Sequence, residues 1–474
     1  MPDSVWVESL DLEAQGIARL PANENEISEG RSGKVLFIKG ALPTELVSYV
    51  VTRERARFNT AKVLKIFKPA VFRIEPKCKV FGICGGCSMQ HLDIRAQIAM
   101  KQRVLEDDLK HISKIHPQEI MRPISGPTWE YRHRARFSVV NRSIKKGTVL
   151  VGFHEGKSGY VADMIACEIL PLHVSKLLPH LRNLLMAVSI PDFIPQIELA
   201  VGEAEDPRSV DPQKNAPVTA LVFRHLKTFN SADKALLIEF AEQHRVWIWL
   251  QPKGIDSVEP FYPKTGKLCY RLPEFEIEMP FEPADFIQVN HLMNRALVSK
   301  AIQLMAVERE DRVLDLFCGI GNFSLPLARV AQFVLGIEGL ANLTSRARIN
   351  AEHNRLAYKA HFQQSDLFLA DAAMVKSWGS FQKWLIDPPR EGAMELSQAL
   401  ANLHAECLKG DYSAKECLPK RIVYVSCNPK TLARDVEILC KHAGYELQSA
   451  GIVNMFPHTS HVESIAVFER LVQK

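Results

Sequence analysis

Short runs of mainly apolar residues with single polar positions fill the first 66 positions of the chain, and glycines and prolines separate these runs. Two examples are Gly33–Ile38 and Glu45–Val51, and the last run, Ala61–Ile66, stops before Pro69. Short apolar runs bounded by glycine and proline predict strands. Roughly five short strands in this length predict a small barrel of the oligonucleotide-binding (OB) type.

The middle of the chain combines helical and strand-like patterns. Apolar residues recur at helical spacing from His91 to about Ile115, which predicts a helix over this segment. Strand-like runs follow at 136–140, 219–224 and 246–250. We therefore predict a central region in which helices and strands are mixed, an α+β fold.

From about position 290 onwards, buried-type strands alternate with helical stretches. These strands are mostly apolar, as expected when helices cover both faces of a parallel sheet. The pattern predicts a doubly wound, Rossmann-like α/β sheet in the C-terminal part of the chain. The runs that carry this prediction are Val313–Phe317, Phe333–Ile337, Lys383–Asp387 and Arg421–Val425.

Composition narrows the class of protein. The chain has 474 residues, of which 47% are apolar and 24% are charged, so it can bury a sizeable core. No apolar run reaches the roughly 18 residues that a bilayer crossing needs, and the N-terminus lacks the pattern of a secretory signal. Ten unevenly spaced cysteines are typical of a reducing compartment. We predict a cytoplasmic protein of about three domains with no membrane contact.

Positive charge is concentrated in one quarter of the chain. Residues 51–157 hold 22 Lys and Arg against 9 Asp and Glu, a net charge of +13, whereas the whole chain carries +5. Within this stretch, Tyr131–Arg136 places three arginines beside an aromatic ring. Such a stretch is either a solvated basic face or a nucleic-acid footprint, in which cations neutralise phosphates.

Three cysteines, Cys78, Cys84 and Cys87, form a Cys-x5-Cys-x2-Cys pattern with glycines that let the backbone curl around a bound centre. This density in a cytoplasmic chain indicates a metal site. Zinc sites usually carry two matched Cys-x2-Cys pairs, so the pattern fits a [4Fe–4S] cluster better, although spacing alone leaves both metals open. Cys167 is the best candidate for a fourth ligand, and Cys269 is the alternative.

A glycine turn follows the first buried strand of the C-terminal region, where Gly319 and Gly321 form Gly-x-Gly. Glu338 ends the next strand and can accept hydrogen bonds from both ribose hydroxyls, while Asp366 follows the third predicted strand and can face an adenine amino group. No lysine follows the glycines, which excludes a phosphate-binding P-loop. These features favour S-adenosylmethionine over NAD as the cofactor.

Two further strand ends carry catalytic candidates, because chemistry in open α/β sheets takes place at the carboxyl ends of strands. The prolines of Asp387-Pro-Pro-Arg390 stiffen a turn that can present Asp387 and Arg390 to a flat ring. Cys427 precedes Asn-Pro at another strand end, where its thiolate can act as a nucleophile. The alternative is a buried cysteine that serves only packing.

A nucleophile beside a methyl donor indicates methylation of a uracil ring. Addition of a thiolate at C6 makes C5 nucleophilic enough to accept a methyl group. A base then removes the C5 proton and the thiol leaves. The C-terminal segment offers His458, His461 and Glu463 as candidate bases.

Together these motifs resemble the RNA uracil-C5 methyltransferases, most closely the bacterial enzymes that act on 23S ribosomal RNA, over nearly the whole chain. The most specific part of the resemblance is Val425–Pro429 followed by Thr431–Asp435. The resemblance implies that Cys427 is the nucleophile and that Glu463 is the proton-abstracting base. It also implies Cys167 as the fourth ligand of a [4Fe–4S] cluster.

The same resemblance implies a domain organisation and a cofactor site. It identifies residues 1–68 as an RNA-binding TRAM domain with an OB-like barrel, 69–285 as a central domain that holds the cluster, and 286–474 as the methyltransferase domain. The helix near 91–115 would pack on the methyltransferase domain. The residues implied to bind S-adenosylmethionine are Gln288, Phe317, Asn322, Glu338, Asp366 and Asp387.

The implied partner is 23S ribosomal RNA, with the target uridine single-stranded or flipped out of its stack, and no obligate protein partner is evident. Bacterial relatives that act on transfer RNA usually lack the barrel and the cluster, so ribosomal RNA is favoured. The alternatives are the same chemistry on transfer RNA and a non-enzymatic iron–sulfur RNA-binding protein. A cytosine-C5 enzyme would carry Pro-Cys where Asp387-Pro-Pro-Arg390 stands, and an amino-group methyltransferase would carry an aromatic residue in place of Arg390.

Overall fold

The computed structural model of the chain describes residues 4–11, 13–21, 33–204 and 217–471. These residues form two compact units. The first unit holds the residues up to 104 together with 153–162 and 456–461. The second unit holds 105–152, 163–455 and the residues from 462 onwards. The three-domain division with boundaries near 68 and 285 stays a prediction.

The described residues of the first unit form a sheet of six strands: β1 (Ser4–Trp6), β2 (Ser9–Leu10), β3 (Gln15–Arg19), β4 (Val35–Lys39), β5 (Leu46–Glu54) and β6 (Phe58–Lys68). Their spatial order is β1-β5-β6-β4-β3-β2. Strands β1 and β2 are the two edges of this sheet, yet two residues separate them in the chain, so the sheet curls back on itself. Alternate apolar residues such as Leu36, Ile38 and Val47 fill its interior.

A short strand, β7 (Glu119–Ile120), opens the second unit, and a mixed sheet follows it. Along the described residues the strands of this sheet follow the order β13-β12-β11-β10-β14-β15, with β8 beside β10 and β9 beside β8. This sheet and the helices between its strands agree with the α+β region predicted from the sequence. Its strands are β8 (Arg134–Arg142), β9 (Thr148–Gly152), β10 (Gln196–Glu203), β11 (Pro217–Arg224), β12 (Val246–Gln251), β13 (Glu259–Tyr262), β14 (Leu268–Leu272) and β15 (Ile277–Phe281).

The remaining strands form the predicted doubly wound sheet: β16 (Arg312–Leu316), β17 (Phe333–Glu338), β18 (Ala360–Gln364), β19 (Lys383–Ile386), β20 (Arg421–Ser426), β21 (Tyr445–Val453) and β22 (Glu463–Arg470). The order in the described chain is β18-β17-β16-β19-β20-β22-β21-β7. Strands β16 to β20 run parallel, and β22 runs antiparallel to both of its neighbours. The strand order reverses between β16 and β19, and in such sheets the ligand crevice lies outside the strand ends at this point. The predicted Rossmann-like fold is confirmed.

Helices connect and cover these strands. The structure gives their bounds as α1 (Ile94–Asp108), α2 (Ser143–Lys146), α3 (Leu172–Ser175), α4 (Leu177–Ala187), α5 (Ser231–His244), α6 (His291–Met305), α7 (Ser324–Val330), α8 (Ala341–His353), α9 (Ala372–Trp378), α10 (Met394–Leu408), α11 (Tyr412–Cys417) and α12 (Pro429–Lys441). Within the described residues, no helix combines the length and hydropathy that a bilayer crossing requires.

The helix predicted from His91 to about Ile115 is shorter at its start. It begins after Asp93, whose carboxylate accepts the backbone N–H of Arg95 at 2.9 Å and so satisfies a free donor of the first turn. A π-helical turn, Leu109–Ser113, continues α1 and contacts α12. Lys114 then adopts a left-handed conformation with φ of +58°, which ends the helix.

Candidate active site

The carboxyl ends of the parallel strands place several predicted site residues along one edge of the doubly wound sheet. The backbone N–H of Asp387 donates to the carbonyl of Leu316 at 3.2 Å, which ties the ends of β16 and β19 together. The residues that the strands deliver to this edge are Phe317 after β16, Glu338 at the end of β17, Asp366 after β18, Asp387 after β19 and Cys427 after β20.

The antiparallel pairing of β20 with β22 brings Cys427 and Glu463 together. The last pair in register is Ser426 with Ser464, and the Ser464 hydroxyl donates to the Ser426 carbonyl at 3.2 Å. Continued by one residue beyond the end of β20, this register would put Cys427 opposite Glu463, and the charge of Glu463 does act on the Cys427 thiol. Residues opposite each other in an antiparallel pair point to the same face, with β-carbons about 5 Å apart. A thiol and a carboxyl group can therefore reach the two faces or edges of one small ring.

Three groups that become anions on losing a proton interact here: the carboxyl groups of Glu463 and Asp387 and the thiol of Cys427. Burial raises the pKa of Glu463 to about 8, and the carboxylate of Asp387 adds to the rise. Burial likewise raises the pKa of Asp387 to about 7. Burial and the charges of Glu463 and Asp387 raise the pKa of the Cys427 thiol to about 12, while the Arg390 guanidinium opposes the rise. At neutral pH the thiol is therefore protonated until a cation or a proton acceptor joins the site.

The proline-containing loop 387–393 is clamped to the start of α12. The Asn428 side chain donates to the carbonyl of Arg390 at 3.1 Å, and the Thr431 hydroxyl donates to the same carbonyl at 3.2 Å. The Asn428 carboxamide also accepts the backbone N–H of Lys430 and caps α12. The residues on either side of Cys427 and Arg390 are thus held in one rigid frame.

A buried carboxylate completes this clamp. Asp435 accepts hydrogen bonds from the Tyr424 hydroxyl at 2.7 Å and from the backbone N–H of Ala393 at 2.8 Å. Arg434 pairs with the same carboxylate at 2.7 Å and donates to the carbonyl of Glu391 at 2.9 Å. Leaving such a buried charge unpaired would be costly, so these bonds fix the loop firmly.

The glycine turn after β16 supplies backbone donors to a carboxylate. Gly319 and Gly321 adopt φ values of +56° and +95°, a region that side chains disfavour. The Glu338 carboxylate accepts the backbone N–H of Gly319 at 3.1 Å with one oxygen and that of Leu340 at 3.0 Å with the other. Each carboxylate oxygen has a second lone pair, so Glu338 can still accept two ribose hydroxyls.

Asn322 anchors the glycine turn through its side chain. Its amide forms a reciprocal pair with the amide of Asn294 on α6, with both distances 2.9 Å. The Tyr270 hydroxyl on β14 also donates to the Asn322 amide oxygen at 2.9 Å. The oxygen is thereby saturated, and one amide N–H of Asn322 is left for a ligand. The side chain predicted to bind the cofactor therefore also joins α6 and the mixed sheet to the turn.

The other residues predicted to bind the cofactor provide rings and acceptors. The rings of Phe317 and Phe368 meet edge to face with centroids 5.8 Å apart. The Asp366 carboxylate accepts the backbone N–H of Phe368 at 3.0 Å with one oxygen. Among the described residues, Gln288 makes no hydrogen bond, and it lies half-buried two positions before Asn290, the cap of α6.

This edge fits an adenosine that carries positive rather than negative charge. Its acceptors are carboxylates at the ends of β17, β18 and β19, and its rings offer an apolar wall for a base. Carboxylates would repel the phosphates of NAD, whereas they attract the ammonium and sulfonium groups of S-adenosylmethionine. The residues present therefore suit S-adenosylmethionine.

Cys78, Cys84 and Cys87 lie half-buried in one tight loop of the first unit, and none of the ten cysteines, all within the described ranges, forms a disulfide. The backbone N–H of Gly86 donates to the Cys84 sulfur at 3.4 Å. A β-carbon at Gly85 would stand 3.2 Å from the carbonyl oxygen of His154, which explains a residue without a side chain there.

The cysteine loop borders an open cavity of about 1190 Å³ that Cys84, Cys87 and basic residues of the curled sheet line together. Nowhere in the described ranges do three His, Cys, Asp or Glu side chains converge as ligands of a single metal ion. The cysteines of an iron–sulfur cluster bond different irons, so their sulfurs need not converge on one point. A [4Fe–4S] cluster held by these cysteines therefore stays a prediction.

Each candidate for the fourth ligand lies in the second unit. Cys167 is buried, and its backbone N–H donates to the Ser175 hydroxyl at 2.8 Å. The Cys269 thiol donates to the carbonyl of Glu203 at 2.9 Å inside the mixed sheet, and burial raises its pKa to about 12. Cys167 as the ligand stays a prediction from the resemblance.

Sequence reasoning missed the residues that hold the site residues in place without lining the site themselves. Tyr270 and Asn294 lie far from the glycine turn in the chain, and no local pattern marks them as its partners. Asp435 belongs to the segment Thr431–Asp435 that carried the family resemblance, so the motif could have marked it as important. The motif does not reveal that its carboxylate contacts Tyr424. Long-range contacts of this kind appear only once the sheet is assembled.

Known proteins match this chain along its length. Residues 276–471 match a family model described as tRNA (Uracil-5-)-methyltransferase. A 23S rRNA (uracil(1939)-C(5))-methyltransferase RlmD from Polynucleobacter necessarius is 68% identical, and the match covers 99% of this chain and 97% of that protein. The protein of the same name from Cupriavidus metallidurans is 55% identical, with 98% of this chain and 94% of that protein covered.

One solved structure is similar in fold over nearly the whole chain. It is the tRNA (uracil-54, C5)-methyltransferase of Pyrococcus abyssi in complex with S-adenosyl-L-homocysteine. The TM-score is 0.69 at 20% sequence identity, and the superposition covers 98% of this chain and 100% of that one. This likeness supports the fold of the two units.

Proposed function

This chain belongs to the family of 23S rRNA uracil-C5 methyltransferases, and we propose that it methylates C5 of a uridine in 23S ribosomal RNA with S-adenosylmethionine as the methyl donor. The names of the relatives give uracil 1939 as their target, and we propose the equivalent uridine for this chain. The observation that carries the mechanism is the opposition of Cys427 and Glu463 across β20 and β22.

Cys427 is the proposed nucleophile. Its thiolate adds to C6 of the uracil, the C5–C6 double bond shifts, and C5 gains the electron density needed to take a methyl group. S-adenosylmethionine supplies that methyl group and, when bound, a positive sulfonium charge. A cation beside Cys427, Glu463 and Asp387 lowers the pKa of all three, since each becomes an anion when it loses its proton.

Glu463 is the proposed base for the last step. Its carboxylate takes the proton from C5, the C5–H electron pair restores the C5–C6 double bond, and the bond between C6 and the Cys427 sulfur breaks. Burial disfavours the charged form of Glu463 and so strengthens it as a base. We propose that Asp387 and Arg390 orient the ring, and the hydrogen bonds from α12 to the Arg390 carbonyl support this role.

The cofactor residues follow from the same strand ends. We propose that Glu338 binds the ribose hydroxyls, that Asp366 and the ring of Phe317 contact the adenine, and that Gln288 and Asp387 bind the methionine part. The remaining amide N–H of Asn322, left over after its pairing, is the sixth contact.

We further propose that Cys78, Cys84, Cys87 and Cys167 hold a [4Fe–4S] cluster and that the curled sheet of residues 1–68 is a TRAM domain. The support is the glycine-rich cysteine loop beside a large cavity and the basic residues of the sheet that line it. Such a surface suits a single-stranded or flipped-out RNA segment, whose phosphates attract lysine and arginine.

The experiment that tests this proposal uses 23S ribosomal RNA that contains 5-fluorouridine, incubated with the protein and S-adenosylmethionine. Fluorine at C5 cannot leave as a proton, so the adduct between Cys427 and C6 is trapped. We expect a slowly migrating band on a denaturing gel with the wild-type protein and none with Cys427→Ala. Cys407→Ala, a change at a half-buried cysteine on α10, is the matched control and should keep the band.

The outcomes separate the alternatives. A band with transfer RNA but none with ribosomal RNA would keep the chemistry and change the substrate. No band with either RNA, from protein that carries its iron, would favour a non-enzymatic RNA-binding protein. A band that survives in Cys427→Ala would show that another residue is the nucleophile.

A further inference from the structure

A buried loop leads directly into Glu463. This loop, residues 456–461, is called the strap below, and it belongs to the first unit although the strands on either side of it belong to the second. His458 at its centre is 2% exposed and adopts a left-handed conformation with φ of +64°. A non-glycine residue in this conformation carries strain that its surroundings must offset.

Helix α1 supplies two side chains that hold the strap. The Gln97 carboxamide accepts the backbone N–H of His458 at 2.9 Å and hydrogen-bonds its ring Nδ1 at 3.2 Å. One turn later, the Lys101 ammonium donates to the carbonyl of Phe456 at 2.8 Å. Gln97 and Lys101 are four residues apart and therefore lie on the same face of α1.

The cysteine loop holds the same residue from the other side. The carbonyl of His458 accepts the backbone N–H groups of Ser88 and Met89 at 2.9 and 3.0 Å. Both donors directly follow Cys87 in the chain. The strap is therefore bound both to helix α1 and to the segment that leaves the proposed cluster.

Gln97 and Lys101 are unusual because both are fully buried. Lysine is almost never fully buried, and burying its charge carries a large desolvation cost. Burial lowers the pKa of Lys101 to about 7, which reflects this cost. Apolar residues would fill the same volume without it. The carbonyl of Phe456 in the strap explains Lys101, whereas the Gln97 carboxamide ties the strap to the segment after the cysteine loop, since it also donates to the carbonyls of Met89 and Leu92 at 3.0 and 2.8 Å.

We propose that Gln97 and Lys101 are positioning residues that act through the strap on Glu463. Glu463 is the first residue of β22, where it pairs with Val453 of β21 but no longer with β20, and terminal residues of a strand fray unless the preceding chain is held. Cys427 is fixed separately, by β20 and by the cap of α12. Loosening the strap should therefore impair removal of the C5 proton while leaving thiolate addition and methyl transfer nearly intact.

This inference rests on the proposed function, and its test follows the two halves of the reaction separately. The variants are Lys101→Met and Gln97→Met, which keep side-chain length and remove the hydrogen bonds to the strap. The matched control is Lys110→Met, a change at an exposed lysine in the turn that continues α1. Glu463→Gln serves as the reference for a lost base.

The measurement is a single turnover with a 23S ribosomal RNA transcript and S-adenosylmethionine labelled in its methyl group. Denaturing gels separate the labelled protein–RNA adduct from free labelled RNA. We expect Lys101→Met and Gln97→Met to release methylated RNA about tenfold to a hundredfold more slowly, the penalty of a base displaced by about 1 Å, and to accumulate labelled adduct. Lys110→Met should behave like the wild type.

Three results would overturn the inference. The first is equal slowing of adduct formation and release, which indicates a general loss of structure. The second is wild-type release from folded Lys101→Met and Gln97→Met proteins of normal iron content. The third is adduct accumulation in Lys110→Met as well. If Glu463→Gln itself accumulates no adduct, the assignment of the base in the proposed function is wrong instead.

Discussion

At the scale of single residues, the site is defined by carboxyl groups whose pKa values burial raises. The side-chain carboxyl groups of Glu463 and Asp387 accept no hydrogen bond from a described residue, and their pKa values rise to about 8 and about 7. A buried carboxylate with only a structural role would normally accept hydrogen bonds from its neighbours. Unpaired buried carboxyl groups beside a cysteine are typical of a site that awaits a ligand.

Replacing Glu463 by Gln should stabilise the protein in alkaline solution. The folded-state pKa of Glu463 is raised above its ordinary value, so the folded protein holds this proton more tightly than the unfolded chain does. The wild type therefore loses stability as pH rises through the range from about 4.5 to about 8. Glu463→Gln has no proton to lose there, and its melting temperature should exceed that of the wild type by on the order of 5 °C at pH 9.

The measurement is thermal unfolding of both proteins at pH 5 and pH 9, without RNA or cofactor. The matched control is Glu446→Gln, which changes an exposed glutamate of β21. Its effect on the melting temperature should be the same at the two pH values. If Glu463→Gln also changed the melting temperature equally at pH 5 and pH 9, the pKa of the Glu463 carboxyl group would not be raised.

At the scale of secondary-structure elements, α6 and β14 hold the cofactor turn through their side chains. The Asn322 amide joins the turn to Asn294 on α6 and to Tyr270 on β14. Burial raises the pKa of Tyr270 well above its ordinary range, so its hydroxyl is a permanent donor. The mixed sheet thereby contributes to a site that otherwise lies at the strand ends of the doubly wound sheet and around the start of α6.

Tyr270→Phe should weaken binding of the cofactor without abolishing it. The change removes one buried donor and leaves the Asn322 oxygen with one partner fewer, a loss of about 1 kcal/mol that corresponds to about fivefold in Kd. Titration calorimetry with S-adenosylhomocysteine measures this effect. Tyr262→Phe, which removes an exposed hydroxyl bonded to Glu242, should leave Kd unchanged. Equal effects of the two changes would show that Tyr270 acts only through general stability.

Local patterns predicted the central strands of the doubly wound sheet and helix α1, and the errors show where such patterns fail. The strands β16, β17, β19 and β20 begin and end within one residue of their predicted bounds, because a continuous apolar run needs two covered faces. The predicted helix start at His91 was wrong by three residues, because Asp93 caps the helix with its own side chain. Strand β7 has two residues, too few for any period to reveal.

At the scale of the whole molecule, the basic stretch of residues 51–157 reaches the cavity beside the cysteine loop. Arg53 and Lys62 of the curled sheet and Lys157 line this cavity together with Cys84 and Cys87. Lys157 also pairs with Glu13 at 2.7 Å across the same space. The arrangement links the proposed cluster to the surface on which we propose that RNA lies.

Loss of the cluster should therefore weaken binding of RNA. Cys84→Ser protein is expected to lack iron and to bind a 23S ribosomal RNA transcript at least about tenfold more weakly at a fixed salt concentration, since the loop that borders the cavity loses its support. Iron analysis and filter binding measure the two quantities. Cys417→Ser, a change at a buried cysteine on α11, should keep both iron and affinity. Normal RNA binding by iron-free Cys84→Ser would exclude a role of the cluster in holding RNA.

The sequence by itself determined which chemical groups this protein has and which strand ends carry them. Buried strands, the glycine turn and the positions of Cys427 and Glu338 depend on neighbours within a few residues, and such signals survive in a linear pattern. The same is true of the cysteine loop, whose glycines and thiols are adjacent in the chain.

Only the tertiary structure decided how these groups work together. Cys427 meets Glu463 because β22 enters the sheet antiparallel beside β20, a register that no local pattern specifies. The strap meets Gln97 and Lys101 across about three-quarters of the chain. Local sequence fixes the conformation of a segment, but contacts between distant segments follow from burying all apolar faces at once, and that condition is met only by the folded chain.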